Sequence, residues 1–217
     1  MRRAGQRKAM QSSIKKTWIL DKAETLFWQK GYLGTSMNDI AKACNCRPAN
    51  IYNYFKNKED ILYEVIRDIT TQMLEQIKPL GDDDKTCPVD LLKALIKTHF
   101  GFLVNMRKSI VSITDTGLKD LTPEHRDEII KLRKSYDNIL LKIISRGRES
   151  GYFADLDEQI VSYLIPSMII RSNIWFSPKG RLTADQVSDT MFELVYQGIK
   201  TRSGNPPGSD NCQAERG

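Results

Sequence analysis

The stretch Thr35 to Phe55, TSMNDIAKACNCRPANIYNYF, constrains the fold more tightly than any other part of the chain. It reads as two short helices joined by a tight turn. Ser36 suits the N-cap of the first helix, and Asp39 lies three positions on. That spacing lets the hydroxyl accept an orphan N–H while the carboxylate faces the positive helix end. Asn45 sits where the chain must reverse, and Asn tolerates a left-handed backbone. Pro48 suits the first turn of a second helix, where its missing N–H costs nothing. Ile40, Ala41, Cys44, Cys46, Ile51 and Phe55 can then turn inward, leaving Arg47, Ala49, Asn50, Asn53 and Tyr54 outside. A short helix with such a face suits the DNA major groove. Arg can fork onto guanine, Asn onto adenine, and Tyr can bond a phosphate.

The flanks sharpen the reading. An apolar helix carrying Phe27 comes first, then Gly31-Tyr32, Thr35-Ser36, Asp39-Ile40-Ala41, Ile51-Tyr52, Tyr54-Phe55 and Lys58-Glu59-Asp60-Ile61-Leu62. In order and spacing, residues 14 to 66 resemble the DNA-binding domain of the TetR family of bacterial transcriptional regulators. The resemblance implies that Lys58 contacts the DNA backbone. Arg47 stands where the family often has a Ser cap, and Ala49 where it often has Gly, so base preference does not carry over. From the residues themselves, the hydroxyls and amides of Thr35 and Ser36 are candidates for a phosphate. Tyr52 is expected to bury its ring and present its hydroxyl.

Charge agrees with a nucleic-acid partner. Residues 1–60 hold 12 Lys and Arg against 5 Asp and Glu, whereas the rest holds 21 against 22. The positive excess thus coincides with the helix pair and attracts polyphosphate by counterion release. The alternative is a solvated basic face. With 40% hydrophobic and 28% charged residues the chain reads as soluble and globular. No signal peptide or membrane-length apolar run is present, and a cytoplasmic location is expected. Cys44, Cys46, Cys87 and Cys212 suggest no disulfide framework. Cys44 and Cys46 are expected at small buried positions rather than on a metal.

Taken in order, residues 1–11 read as a flexible basic arm, with Arg2, Arg3, Arg7 and Lys8 available to a minor groove. A frayed terminus is the alternative. Residues 12–60 form the helix-turn-helix domain, its first helix running from Ser13 to Lys30 with Gly31 as C-cap. Residues 61–202 form a helical body. The fourth helix is expected from Lys58 to Ile77, ended by Pro79 and Gly81, and Gly81 to Cys87 reads as a loop. Further helices are expected from Pro88, from Arg107 to Leu118, from Thr122-Pro123 to Ser150, from Asp155 with Glu158, and from Thr183 with Gln186. Residues 203–217 read as a disordered tail. The fold class is all-α, with about nine helices and no strand pattern.

Two features of the body suggest its task. Its last two helices are apolar on more than one face, with Ile160, Leu164, Met168, Ile174, Trp175, Met191, Leu194 and Val195 among the residues. A second stripe wants a partner, and two-fold pairing is the commonest solution. Homodimerisation through these helices would set two reading helices against a palindromic duplex; the family resemblance implies the same, as a four-helix bundle. The middle helices mix flexible and aromatic residues. Met73, Phe100, Leu103, Met106, Tyr136, Leu140, Met168 and Trp175 are candidate pocket lining, with His99 and Arg171 as polar anchors. An ordinary core has the same composition. Pro166 is expected to kink its helix. The resemblance implies a small-molecule effector here. The segment WFSPKGRLT is similar to the matching loop of members that respond to acyl-CoA or fatty acids, and Arg107, Lys108, Arg146, Arg148 and Arg171 are candidates for CoA phosphates.

Enzyme readings find no support: there is no Gly-rich phosphate loop, HExxH or nucleophile elbow. His125 and Glu128 have helical spacing but no third metal ligand in sequence. No cofactor or metal is expected. The chain reads as a homodimeric, ligand-responsive regulator of a double-stranded DNA operator, expected to repress until a small hydrophobic effector shifts the fourth helix. Its rivals are a sequence-indifferent DNA-binding protein without a sensor, a regulator of a multidrug or aromatic response, and a helical small-molecule carrier.

Overall fold

In the computed structural model the described residues are 2–106 and 117–201, with side chains described from Lys15 onward. They form eight α-helices: α1 (Arg2–Lys30), α2 (Met37–Ala43), α3 (Pro48–Tyr52), α4 (Lys58–Asp82), α5 (Pro88–Asn105), α6 (Pro123–Glu149), α7 (Glu158–Trp175) and α8 (Ala184–Ile199). A 3₁₀ turn, Gly117–Asp120, precedes α6. Among the described residues the only β feature is an isolated bridge between Phe153 and Lys200. The expected helix from Arg107 to Leu118 and the tail from Ser203 lie mostly or wholly outside the described residues, as do Arg107 and Lys108.

The chain divides into two compact units. Among the described residues one comprises 2–70 with 117–130, the other 71–106 with 131–201, so α4 and α6 each supply residues to both. The head-containing unit therefore takes in more chain than residues 12–60. In it, Ile19, Ala23 and Phe27 of α1 are buried with Ile40, Ala41, Ile51, Phe55, Ile61 and Leu62. The spacing i, i+4, i+8 on α1 supplies the stripe that the other helices cover. α1 begins at Arg2, where the sequence suggests an arm and a start at Ser13. Gly31 follows α1 at φ +74, a left-handed conformation that Gly adopts without steric cost.

In the second unit α5 packs against both α7 and α8. Its Leu91, Leu92, Leu95, Ile96 and Phe100 are buried, and Phe100 meets Phe176 edge-on at 5.1 Å. Edge-on contact sets the positive rim of one ring against the negative face of the other, which makes the pair favourable beyond its buried area. His99 is buried there too, its Nδ1 2.8 Å from the Tyr136 hydroxyl. Burial without a charged partner pulls the imidazole down to about 4, so it is neutral at pH 7. Burial pushes the Tyr136 hydroxyl well up, so it keeps its proton.

Several element ends differ from expectation. α4 does not stop near Ile77 but continues through Pro79 to Asp82. Pro79 removes one N–H from the ladder, and contacts from α6 hold the 81–87 segment beyond it. Lys142 donates to the Gly81 carbonyl at 2.8 Å. The Arg146 guanidinium donates to the carbonyls of Asp83 (2.6 Å), Asp84 (3.3 Å) and Thr86 (2.8 Å). Asp83 accepts from the Lys85 and Thr86 amides and the Thr86 hydroxyl, and these bonds hold its carboxyl down at about 2. The segment is thus a fastened turn. α7 is capped by Asp157, which accepts from the Ile160 amide at 3.1 Å, and not by Asp155, whose carboxylate pairs with Arg148. Pro166 lies inside α7. α8 has the expected capping box between Thr183 and Gln186. Cys87 is disulfide-bonded, where the sequence suggested no disulfide framework.

The last two helices sort their apolar residues onto two faces. Ile165, Ile169, Val187, Met191 and Ile199 are buried, whereas Ile160, Tyr163, Leu164, Ile174, Trp175 and Leu194 are exposed. On α7 the exposed residues fall at three- and four-residue steps, which is one face of the helix.

Candidate nucleic-acid interface

The helix pair is held by local bonds that its residue types dictate. Ser36 accepts from the Asp39 amide at 3.1 Å, and the Asp39 carboxylate accepts from the Ser36 amide at 2.9 Å and hydroxyl at 2.6 Å. These bonds lower the Asp39 pKa. At the other end of α2, Asn45 is the sole non-Gly residue with positive φ among those described, at 53°. The Cys46 amide bonds the Ala41 carbonyl and the Asn45 amide bonds that of Lys42, the double closure of a Schellman turn. α3 then opens at Pro48, with Arg47 at the N-cap making no side-chain capping bond.

The outward face of α3 matches the reading of the sequence at most positions. Arg47, Pro48, Ala49, Asn50, Tyr52 and Asn53 are exposed, and Tyr54 is half-buried. The helix itself ends at Tyr52, so Asn53 and Tyr54 lie on the turn after it. Tyr52 does not bury its ring, since only Ile51 of this helix packs into the core. Cys44 and Cys46 are half-buried free thiols. Burial first, then Cys46, pushes the Cys44 thiol up to about 11.

Three expected phosphate contacts sit differently. Thr35 is 2% exposed, and its hydroxyl donates inward to the Gly31 carbonyl at 2.9 Å and the Leu26 carbonyl at 3.3 Å. It is a structural tie across the turn after α1. The Ser36 hydroxyl donates its one proton to Asp39. Lys58 donates to the main-chain carbonyls of Tyr32 at 2.6 Å and Thr35 at 2.7 Å, with its ammonium 4.1 Å from the centre of the Tyr32 ring. Tyr32 was not legible as a functional residue because its partner lies 26 positions away, beyond any local periodicity.

His125 meets Glu59 rather than Glu128. Its Nδ1 lies 2.9 and 3.0 Å from the two Glu59 oxygens, and its ring stacks on Tyr63 at 3.9 Å. With Asp60 these residues bring three metal-ligating atoms within 4.8 Å of one another. The carboxylates already serve main-chain donors, Glu59 the Thr122 amide and Asp60 the Lys56 amide. These acids also stand at the amino ends of α4 and α6, where positive helix ends favour carboxylates and oppose a cation. The cluster is accounted for as helix capping.

The predicted effector residues are divided. Met73, His99, Phe100, Tyr136 and Leu140 are buried, Leu103, Met106 and Met168 are half-buried, and Arg171 and Trp175 are exposed. The last two therefore belong to the outer face of α7 rather than to an interior. A cavity of about 40 Å³ is lined by Leu103, Val104, Ser172, Asn173, Phe176 and Pro178. An open cleft of about 380 Å³ runs along α6 past Asn138, Lys142, Ser145 and Arg146 to Glu158. Arg146 and Arg148, candidates for CoA phosphates, are engaged, the first by the 81–87 carbonyls and the second by Glu158 and Asp155.

Residues 19–65 match the family described as bacterial regulatory proteins, tetR family, and residues 85–199 match the tetracyclin repressor-like C-terminal domain. The chain belongs to the TetR family. It is a regulator of transcription, not an enzyme. Among TetR relatives, the HTH-type transcriptional repressor KstR2 of Mycolicibacterium smegmatis is 26% identical over 197 residues, 90% of this chain and 95% of that one. The fatty acid metabolism regulator protein of Bacillus subtilis is 27% identical over 186 residues, 85% of this chain and 95% of that one. A solved structure of AibR in complex with isovaleryl coenzyme A and operator DNA is 28% identical, with a TM-score of 0.76 over 84% of this chain and 98% of AibR. Among the described residues no helix is long and apolar enough to cross a membrane.

Proposed function

We propose that this TetR-family chain is a cytoplasmic, homodimeric repressor of a palindromic operator, released by a hydrophobic effector of the acyl-CoA or fatty-acid class. The observation that carries the DNA half is the outward face of α3 and its two ends, where Arg47, Asn50 and Asn53 stand exposed on a segment that packs against α2. These are side chains that read base edges, and they lie within the basic part of the chain. Two-fold pairing is supported by the exposed apolar stripe of α7 with Leu194 of α8. The effector class is supported by similarity to AibR, which is solved with isovaleryl coenzyme A, and to FadR of Bacillus subtilis, solved with stearoyl-CoA. The buried His99–Tyr136 pair offers a polar anchor in an otherwise apolar interior. Met73, buried in the same unit, belongs to α4, the helix whose first residue is Lys58. An effector that separates these side chains acts on the helix that begins beside the α3 turn, and works through its difference in affinity for two states.

The test uses a duplex selected by the full-length protein from a random-sequence pool. The protein is expected to hold this duplex against excess unrelated DNA and to release it on addition of acyl-CoAs of graded chain length. Binding that random DNA abolishes would overturn the operator reading. Retention of the duplex in the presence of every acyl-CoA would overturn the effector class alone.

A further inference from the structure

We infer that the buried His99–Tyr136 pair selects the polar group of the effector: it takes an uncharged oxygen, the carbonyl of a thioester, and refuses a carboxylate. The inference deepens the effector reading and rests on it. A neutral imidazole carries one N–H and a phenol one O–H, so the pair holds two protons. The 2.8 Å contact between Nδ1 and the hydroxyl uses one of them, whichever ring nitrogen is protonated. The other is left over, and no further hydrogen bond of either ring forms among the described residues. The two rings meet edge-on at 5.2 Å, and both are buried. A buried donor without an acceptor costs stability, which a ligand oxygen at this point would recover.

His99 and Leu103 stand four residues apart on α5, one above the other on the same face. Leu103 lines the cavity of about 40 Å³ together with Val104, Ser172, Asn173, Phe176 and Pro178. A polar group that enters there is within one helical turn of His99, roughly 5.4 Å. None of these lining residues is charged. Among the described residues of this unit the buried polar side chains besides Tyr136 are His99, Ser162, Ser172 and Ser188, again without a charge. A carboxylate at the pair would be buried with no counter-ion, at far greater cost than a carbonyl.

The charged groups of the surrounding helices do not supply that counter-ion. Lys93 and Lys97 of α5 pair with Asp189 of α8 at 3.7 and 3.0 Å, near the surface. On α6, Asp137 already faces Arg133, and both are only half-buried. Glu75 and Lys78 of α4 and Arg171 of α7 are exposed. A fatty acid would therefore have to arrive with its proton. At pH 7.3 an alkyl carboxyl with an ordinary value near 4.3 is protonated in about one molecule per thousand. Protonating His99 instead is no easier, since burial holds the imidazole at about 4.

The experiment is calorimetric titration of the full-length protein with octanoyl-N-acetylcysteamine, a neutral thioester, and with octanoate. The thioester is expected to bind equally well across about two pH units around neutrality. Octanoate is expected to bind at least about a hundredfold more weakly at pH 7.3 and to gain about tenfold for each unit of falling pH. His99→Leu is expected to lower thioester affinity about tenfold. In the parent protein with ¹⁵N-labelled histidine, the His99 ring nitrogens are expected to shift on thioester addition while the ring stays neutral, a readout that stands should His99→Leu not fold. Octanoate as tight as the thioester at pH 7.3, an octanoate affinity indifferent to pH, thioester affinity unchanged in His99→Leu, or an unresponsive His99 ring each overturns the inference and leaves the effector class standing. If neither compound nor any acyl-CoA binds, the effector reading itself fails and the inference falls with it.

Discussion

Arg47 occupies the N-cap of α3 and leaves that cap unmade. A Ser there would accept a hydrogen bond from the first turn, worth about 1 kcal/mol. Arg47→Ser is therefore expected to raise the melting temperature while lowering affinity for the selected duplex, because the exposed guanidinium is lost from the reading face. Calorimetry and fluorescence anisotropy on one preparation check both halves, and a variant that gains stability without losing affinity would remove Arg47 from the interface. His99 gives a second expectation at this scale. Its folded pKa lies near 4, below the ordinary imidazole value of 6.5, so the unfolded chain binds the proton more readily. Its contribution is intact above pH 6.5 and lost as pH falls toward 4, by roughly 3 kcal/mol. Urea unfolding at a series of pH values should show this fall and a flatter dependence in His99→Gln. Residues acting within a turn were legible in the sequence, Ser36 with Asp39 and Asn45 above all. The bonds that Thr35 and Lys58 make to main-chain carbonyls were not legible, because sequence does not display such partners.

The elements followed from period and caps wherever both ends were local. The reversal at Asn45 after α2, Pro48 opening α3 and the Thr183–Gln186 box all stand where the residue types put them. The end of α4 did not follow: Pro79 argues for a stop, and the helix runs on to Asp82. Past that end, Arg146 on α6 holds the segment through three carbonyls. Arg146→Ala is expected to destabilise the chain by about 1.5–3 kcal/mol and to open residues 81–87 to limited proteolysis. Equal cutting of the two proteins in that segment would show that the guanidinium does not hold it. Asp155 and Asp157 illustrate the limit of cap reading. Both precede the same apolar run; Asp157 caps it, and Asp155 pairs with Arg148.

At the scale of the whole molecule, the sequence announced an all-helical regulator with a basic head, and the family matches agree. It could not separate core from outer face in α7, where apolar residues fall on both faces. Coordinates make that separation, leaving Leu164 and Leu194 outside while Ile165 and Ile169 are buried. Leu164→Glu with Leu194→Glu is expected to leave the core intact and to yield monomers in analytical ultracentrifugation. Affinity for a palindromic duplex should drop by about a hundredfold or more as the second half-site is lost. Dimers that persist at micromolar concentration would place the pairing face elsewhere. The three tryptophans carry a practical consequence. Trp18, Trp28 and Trp175 are each more than half exposed, so their indoles already sit in water when the chain is folded. The emission maximum should shift little when the chain unfolds. A blue shift on raising protein concentration would instead report a second copy closing over Trp175, which makes emission a gauge of assembly rather than of melting.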